Sequence, residues 1–273
     1  MADKTFSIMT FNIKNSADSI DRQTVNHWVN RREKIVNIVK KYNPTIIGFQ
    51  EVLHDQYLFL KEKLRDFSSH GVAREDGLTI GEYCPIFFKK DSTILRTQGT
   101  FWLSDTPEIP SKTWEGCCPR ICSWVALNAP FSMIIANTHF DELFQETRLK
   151  SIQVLKNYLM VFHYPLIITG DFNFTRNTIE YDKIVEDLHL EDSFLKGYHK
   201  DDLNHLITYH GYTGQKYAEN TPRFIDFIFT STGQRLKEIN SEIIYFNEGG
   251  DKNAYPSDHF PVYVNFSIKT DYL

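Results

Sequence analysis

The sequence predicts a layered α/β fold, and three observations lead there. Strand-like apolar runs alternate with helix-length periodic segments near the start of the chain. The middle is rich in short runs of β-branched and aromatic residues. Composition barely shifts along the 273 residues, and no repeat or low-complexity linker interrupts them, so a single domain over 1–273 is expected.

Residues 6–13 (FSIMTFNI) read as a strand, half alternating and half buried. A polar stretch runs to about residue 30. Ile35, Ile38 and Val39 stand at helical spacing within 31–42. That helix ends at Asn43 and Pro44, because a residue before proline is pushed out of the helical region. Residues 45–51 (TIIGFQE) give a short, nearly all-apolar strand, followed by a second helix to about residue 64. Strands follow at 83–89, 93–98, 123–127 and 132–138, and residues 104–119, with three prolines, read as a surface loop. A helix over 143–159 precedes a buried strand at 166–170 (LIITG). A helix near 179–188, a polar loop over 197–222 and strands at 224–230, 243–246 and 262–268 complete the pattern.

Composition excludes several classes of protein. The chain is 41% hydrophobic, 24% charged and 14% aromatic, which is neither disordered nor fibrous. A net charge of −5 excludes a protein held on nucleic acid by bulk charge alone. No apolar run approaches the roughly 20 residues of a membrane span. The start, MADKTFSIMTFNI, carries no apolar export core. These features predict a cytoplasmic protein with no membrane partner, monomeric by default. The four cysteines, Cys84, Cys117, Cys118 and Cys122, include no CxxC pair and are expected as plain reduced thiols.

The informative polar residues sit where apolar strands end. Asn12 follows Phe11, and Glu51 closes the strand before it. A carboxylate there needs a cation or a partner, although a helix N-terminus would also stabilise it. Glu82 and Tyr83 open the run EYCPIFFKK, and Asn137, His139 and Asp141 close SMIIANT. Asp171 and Asn173 follow LIITG, two residues apart and so on one face of an extended segment. Asp226 lies inside FIDFIF, and Asp258 and His259 precede the last strand. A buried aspartate beside such a histidine suggests an imidazole oriented by a carboxylate. The set of carboxylates, amides and two histidines suits an oxygen-ligated cation such as Mg²⁺ together with proton transfer. No GxSxG, Walker A or GxGxxG motif is present.

The runs MTFNI (9–13), GFQE (48–51), EY (82–83), NTH (137–139), GDFN (170–173), IDFI (225–228) and SDHFP (257–261) occur in one order along the chain. In that order they resemble the endonuclease/exonuclease/phosphatase superfamily, which includes DNase I-like nucleases. The resemblance implies a four-layered α/β sandwich, with two packed central sheets flanked by helices. It implies Glu51 as main metal ligand with Asn12 beside it, and Asp258 as a further metal- or phosphate-site residue. Asp171 would orient the attacking water and Asn173 bind a phosphate oxygen. His259 would be the catalytic histidine, oriented by Asp226, and His139 the second histidine, with Glu82 as its carboxylate partner. The implied cofactor is Mg²⁺ or Mn²⁺, and the implied reaction is metal-assisted hydrolysis of a phosphate ester.

The substrate is less legible. A phosphodiesterase or nuclease-like activity is the first expectation; a phosphatase of a small phosphorylated metabolite, such as a sugar phosphate, is the alternative. The basic stretch at 30–34 with Lys40 and Lys41 reads as a solvated helix face rather than a nucleic-acid groove. Phe101, Trp102 and Trp114 near Arg120 can stack a base or sugar and grip a phosphate, or can simply pack their loop down. Tyr83 and Arg120 are the substrate-binding candidates from these segments, and residues 208–214 (TYHGYTG) offer similar material.

Overall fold

A computed structural model describes residues 5–17, 24–195, 206–214, 223–231, 236–246 and 255–268. Two mixed sheets form its centre. The first contains β1 (Thr5–Asn12), β2 (Ile46–Gln50), β3 (Phe67–His70), β4 (Ile86–Lys89), β11 (Leu236–Ile243) and β12 (Val262–Ile268), in the order β11-β12-β1-β2-β4-β3. The second contains β5 (Leu95–Trp102), β6 (Ile121–Leu127), β7 (Met133–His139), β8 (Leu166–Asp171), β9 (Leu190–Asp192) and β10 (Asp226–Ser231), in the order β5-β6-β7-β8-β10-β9. Helices α1 (Trp28–Tyr42) and α2 (His54–Lys63) cover the first sheet, and α3 (Gln145–Leu159) and α4 (Ile179–Asp187) cover the second. The result is the four-layered sandwich that the resemblance implies.

The period of two along β1 builds the layers. Phe6 and Ile8 face the second sheet, whereas Met9, Phe11 and Ile13 join Ile35, Val36 and Val39 of α1. Residue 12 shares the parity of Phe6 and Ile8, so Asn12 faces inward, between the sheets. In β2, Ile46 packs inward and Ile47 and Phe49 pack under the helices. Gly48 lies between them on the inner face. A Cβ there would stand 2.2 Å from Thr169 Oγ1 and 2.6 Å from Asn137 Oδ1, so only glycine lets the sheets approach this closely. A buried amide network fills that crossing: Gln50 Nε2 donates to Thr10 Oγ1 (3.0 Å) and Asn137 Oδ1 (2.6 Å), and Asn137 Nδ2 donates to the Phe49 carbonyl (2.7 Å).

Several elements differ from the sequence expectation. β3 and β9 are unanticipated, and β11 occupies 236–243 where the pattern indicates 243–246. β4 starts at Ile86 rather than residue 83, after Pro85, which has no N–H to give a ladder. Arg31 is not part of a solvated face. It is buried, donating to the carbonyls of Ile13 (2.6 Å), Pro256 (2.9 Å) and Lys14 (3.1 Å). Among the described residues no helix is long and apolar enough to cross a membrane. The four cysteines are free thiols.

Candidate active site

Strand register assembles the site at one end of the sandwich. In the second sheet, His139 of β7 and Asp226 of β10 are the cross-strand partners of Asp171 on β8, one on each side. In the first sheet, β1 and β2 run parallel and deliver Asn12 and Glu51 to the same end. The turn before β12 brings Asp258 and His259 over the top. Six chain segments distant in sequence thus converge because their strands end there.

Asp171 is the hub. Its Oδ2 accepts from Asn12 Nδ2 at 3.0 Å and lies 3.5 Å from His139 Nε2 and 3.7 Å from His259 Nε2. Its Oδ1 accepts the Asn173 N–H at 3.1 Å. Burial, followed by the charge of Asp226, raises the Asp171 carboxyl to about 7. His259 Nδ1 bonds to Asp226 Oδ2 at 2.9 Å. Burial alone would depress this histidine, but the Asp226, Asp171 and Asp258 carboxylates override it and raise it to about 10. At neutral pH His259 is therefore an imidazolium. His139 is the opposite case: burial first, then the Arg120 charge, push it well below the usual histidine range. The two histidines hold different charge states in one site.

Tyr209 supports His259 from the segment 206–214, its ring 5.0 Å from the imidazole, and Thr208 Oγ1 accepts the Asp226 N–H at 3.2 Å. Backbone strain marks the same place. Lys14, Glu51 and Asn173 all adopt positive φ, at 55°, 57° and 53°. For non-glycine residues such conformations persist when surrounding structure over-determines them, and they cluster at functional sites.

The residues fit a divalent cation. Burial would raise Glu51, yet Lys14, His139, Asn12 and His259 hold it at about 2, so it is an ionised, half-buried carboxylate. Its charge also raises Asp258, after burial, which brings the two acids within electrostatic reach. Negative charge gathered in this way suits a hard cation with oxygen ligands. Glu51 and Asp258 could hold one. Asn12 stands between the carboxylates: its Nδ2 donates to Glu51 Oε1 (3.0 Å) and Asp171 Oδ2 (3.0 Å), and its Oδ1 accepts the Lys14 N–H (3.0 Å). Asp171, Asp226 and His259 also place one donor atom each within 4.8 Å of one another.

Two further expectations need correction. Glu82 is not the carboxylate of His139. It accepts from Arg74 Nη1 at 2.5 Å and from Asn15 Nδ2 at 3.0 Å, and Asn15 in turn donates to Glu51 Oε2 at 3.1 Å. Glu82 therefore buttresses Glu51 through Asn15. Tyr83 does not line the site: it is buried on the helix side, stacked on Tyr57, with its hydroxyl on His54 and the Leu78 carbonyl. Adjacent strand residues point to opposite faces, so Glu82 and Tyr83 could not both reach the site. Arg120 does stand beside it, buried, and its charge acts on His139 and Glu82. The loop aromatics pack down, with Trp102 buried and its Nε1 on the Arg74 carbonyl at 2.7 Å. Asn15, Arg74 and Asp141 are site neighbours the sequence did not single out as acting groups.

Residues 9–259 match the model of the Endonuclease/Exonuclease/phosphatase family. The chain belongs to that family. A crystal structure of an endonuclease/exonuclease/phosphatase family protein from Bacteroides thetaiotaomicron superposes with a TM-score of 0.86 at 28% identity, covering 98% of this chain and 99% of that one. A mannosyl-6-phosphatase from the same bacterium superposes with a TM-score of 0.84 at 29% identity, covering 96% of this chain and 99% of that one. An uncharacterized protein of Acanthamoeba polyphaga mimivirus is 32% identical over 169 residues, 55% of this chain. The chain spans only 60% of the length of that curated relative. Members of this family act on phosphate esters.

Proposed function

We propose that the protein is a divalent-metal-dependent phosphatase of a small phosphorylated metabolite, a sugar phosphate in the first instance. The observation that carries this reading is the placement of positive charge. Beside the site it resides on Arg74 and Arg120, both largely withdrawn from solvent, and on Lys14, 3.6 Å from Glu51. The cations that do gather at the surface, Lys61, Arg65 and Lys90, line a hollow at the Lys89 end of β4, the end remote from Glu82. The overall charge of −5 agrees, and so does the likeness to a mannosyl-6-phosphatase.

The chain's own residues account for most of the chemistry. Asp171, with a carboxyl that titrates near neutrality, is placed to orient a water and take its proton. The His259 imidazolium, fixed by Asp226, donates to a non-bridging phosphoryl oxygen, and the Asn173 amide lies close enough to His139 to share that task. Attack in line with the ester oxygen yields the alcohol and inorganic phosphate. A divalent cation held by Glu51 and Asp258, when bound, supplies Lewis-acid polarisation and offsets the developing charge.

The test is release of inorganic phosphate from mannose 6-phosphate and other hexose phosphates, beside hydrolysis of bis-p-nitrophenyl phosphate and a DNA oligonucleotide. Each is run with Mg²⁺, Mn²⁺ or chelator and across a salt series. Metal-dependent turnover of the monoesters with a shallow salt response is expected. Turnover of the diesters alone would replace this reading with the phosphodiesterase one.

A further inference from the structure

Adjacent side chains of an extended segment point to opposite faces, which ordinarily keeps two neighbouring thiols apart. Cys117 and Cys118 depart from this. The chain bends through residues 114–118, and the two Sγ atoms lie 3.0 Å apart. Cys117 is exposed and Cys118 half-buried, whereas Cys84 and Cys122 are buried. Burial pushes the Cys84 thiol up to about 12 and the Cys122 thiol well above the ordinary range, so both are poor nucleophiles. Burial also raises Cys118 to about 12, which leaves the exposed Cys117 to meet a reagent first.

Chain topology sets this pair beside the reaction centre. β7 ends at His139, and β6 pairs antiparallel to it from Ile121, so the segment before β6 lies at the active end. Arg120 Nη2 reaches Cys117 Sγ at 3.6 Å, and the Arg120 charge acts in turn on His139 and Glu82. On the other side stands Gly116, with a positive φ of 152°. A Cβ there would lie 2.6 Å from Asp141 Oδ2, so the backbone packs directly on the turn that follows His139. A movement of either sulfur is therefore passed to Arg120 on one side and to the Asp141 turn on the other.

An accessible thiol poised next to a resolving thiol is the arrangement of cysteines that respond to oxidants. With hydrogen peroxide the atoms balance. Cys117 Sγ attacks a peroxide oxygen; the O–O bond breaks, a sulfenic acid forms and water leaves. Cys118 Sγ then attacks that sulfur; the S–S bond forms, the S–O bond breaks, and a second water carries off the thiol proton. The two thiols lose two electrons, and one peroxide becomes two waters. Neighbouring Cα atoms stand about 3.8 Å apart, below the roughly 4.4–6.8 Å of ordinary disulfides, so the ring is strained and readily reduced again.

We propose that Cys117 and Cys118 are a reversible oxidation site for hydrogen peroxide, and that closing their disulfide lowers turnover by displacing Arg120. The turnover clause rests on the phosphatase reading above; the disulfide does not. The purified protein is treated with hydrogen peroxide, desalted, and then reduced with dithiothreitol. Peptide mass spectrometry should show loss of two hydrogens from the fragment carrying both cysteines, with Cys84 and Cys122 still reduced. With Mg²⁺ or Mn²⁺ supplied, kcat/KM is read on p-nitrophenyl phosphate and bis-p-nitrophenyl phosphate. It should fall about tenfold on oxidation and return on reduction, part of the ~hundredfold that misplacing an acting group by about 1 Å costs. Cys118→Ser keeps the Cys117–Arg120 contact but cannot close the ring, so its oxidised-to-reduced activity ratio should stay within about twofold of one. Two thiols that both remain open to alkylation after peroxide overturn the oxidation site. A disulfide that leaves wild-type turnover within about twofold, or an equal fall in Cys118→Ser, overturns the control of activity. A wild-type enzyme that hydrolyses only the diester overturns the phosphatase reading, and the same mass and rate data still decide the dithiol.

Discussion

Replacing Asp226 by Asn keeps the shape of the side chain and removes its charge. In the wild type, Asp226 accepts from His259 Nδ1 at 2.9 Å, and the imidazole titrates near 10 rather than 6.5. At about 1.4 kcal/mol per pK unit, that difference is roughly 5 kcal/mol in favour of the imidazolium. Asp226 is the largest of the three carboxylates behind it, and burial opposes them all. Removing Asp226 therefore lets burial regain ground, and the His259 midpoint should drop by at least about two units. The assay is the pH titration of the His259 ring by NMR in the metal-free protein, with kcat/KM measured in parallel on the metal-loaded enzyme. Loss of the fixed imidazolium should lower kcat/KM by at least roughly a hundredfold. A midpoint that moves by less than about half a unit would refute the assignment of the raised pKa to the Asp226 pair.

Other perturbations follow from the same contacts. Asp171→Ala should lower turnover at least roughly a hundredfold without loss of fold, checked by kinetics beside circular dichroism. Glu51→Gln should weaken Mg²⁺ or Mn²⁺ binding by an order of magnitude or more, measured by calorimetry; unchanged affinity would remove Glu51 from the metal site. Arg31→Ala leaves the buried carbonyls of Ile13 and Pro256 without this donor and should cost about 2–4 kcal/mol in urea unfolding. For the metal-free protein, Asp171 and His259 both titrate higher folded than unfolded. Their contributions are complete below the unfolded values, and are lost as pH rises through about 7 and then about 10. Below about pH 6.5 the depressed histidines His139, His210 and His70 act in the opposite sense, so the fall in urea midpoint is expected from pH 7 to pH 9, and Asp226→Asn should flatten it.

The inner strands were legible because burial on both faces imposes continuous apolar runs, as in IIGF before Glu51 and LIIT before Asp171. The missed strands are marginal elements of their sheets. β3 (FSSH) is half-buried throughout, β9 has three residues, and β11 (LKEINSEI) alternates charged and apolar residues at an exposed edge. Charge on an edge strand discourages pairing with other chains, and it also hides the strand from an apolar-pattern search. Within the site, residues closing apolar strands were recoverable from position alone. Asn15 and Arg74 were not, since their roles depend on partners 36 and 8 positions away. Tyr83 shows the opposite failure: the alternation of strand faces, already in the sequence, separates it from Glu82.

The bonds Asn12–Asp171 and His259–Asp226 each join one sheet to the other. The residues proposed to hold the cation ride on the first sheet and the aspartate proposed to orient the water on the second. Catalytic competence is thus a gauge of how closely two slabs of the molecule are pressed together, with Gly48 setting the gap. Mild denaturant or a bulkier residue at that crossing should silence the enzyme while both sheets keep their strands. Turnover would then report a loosening that far-ultraviolet spectroscopy does not see.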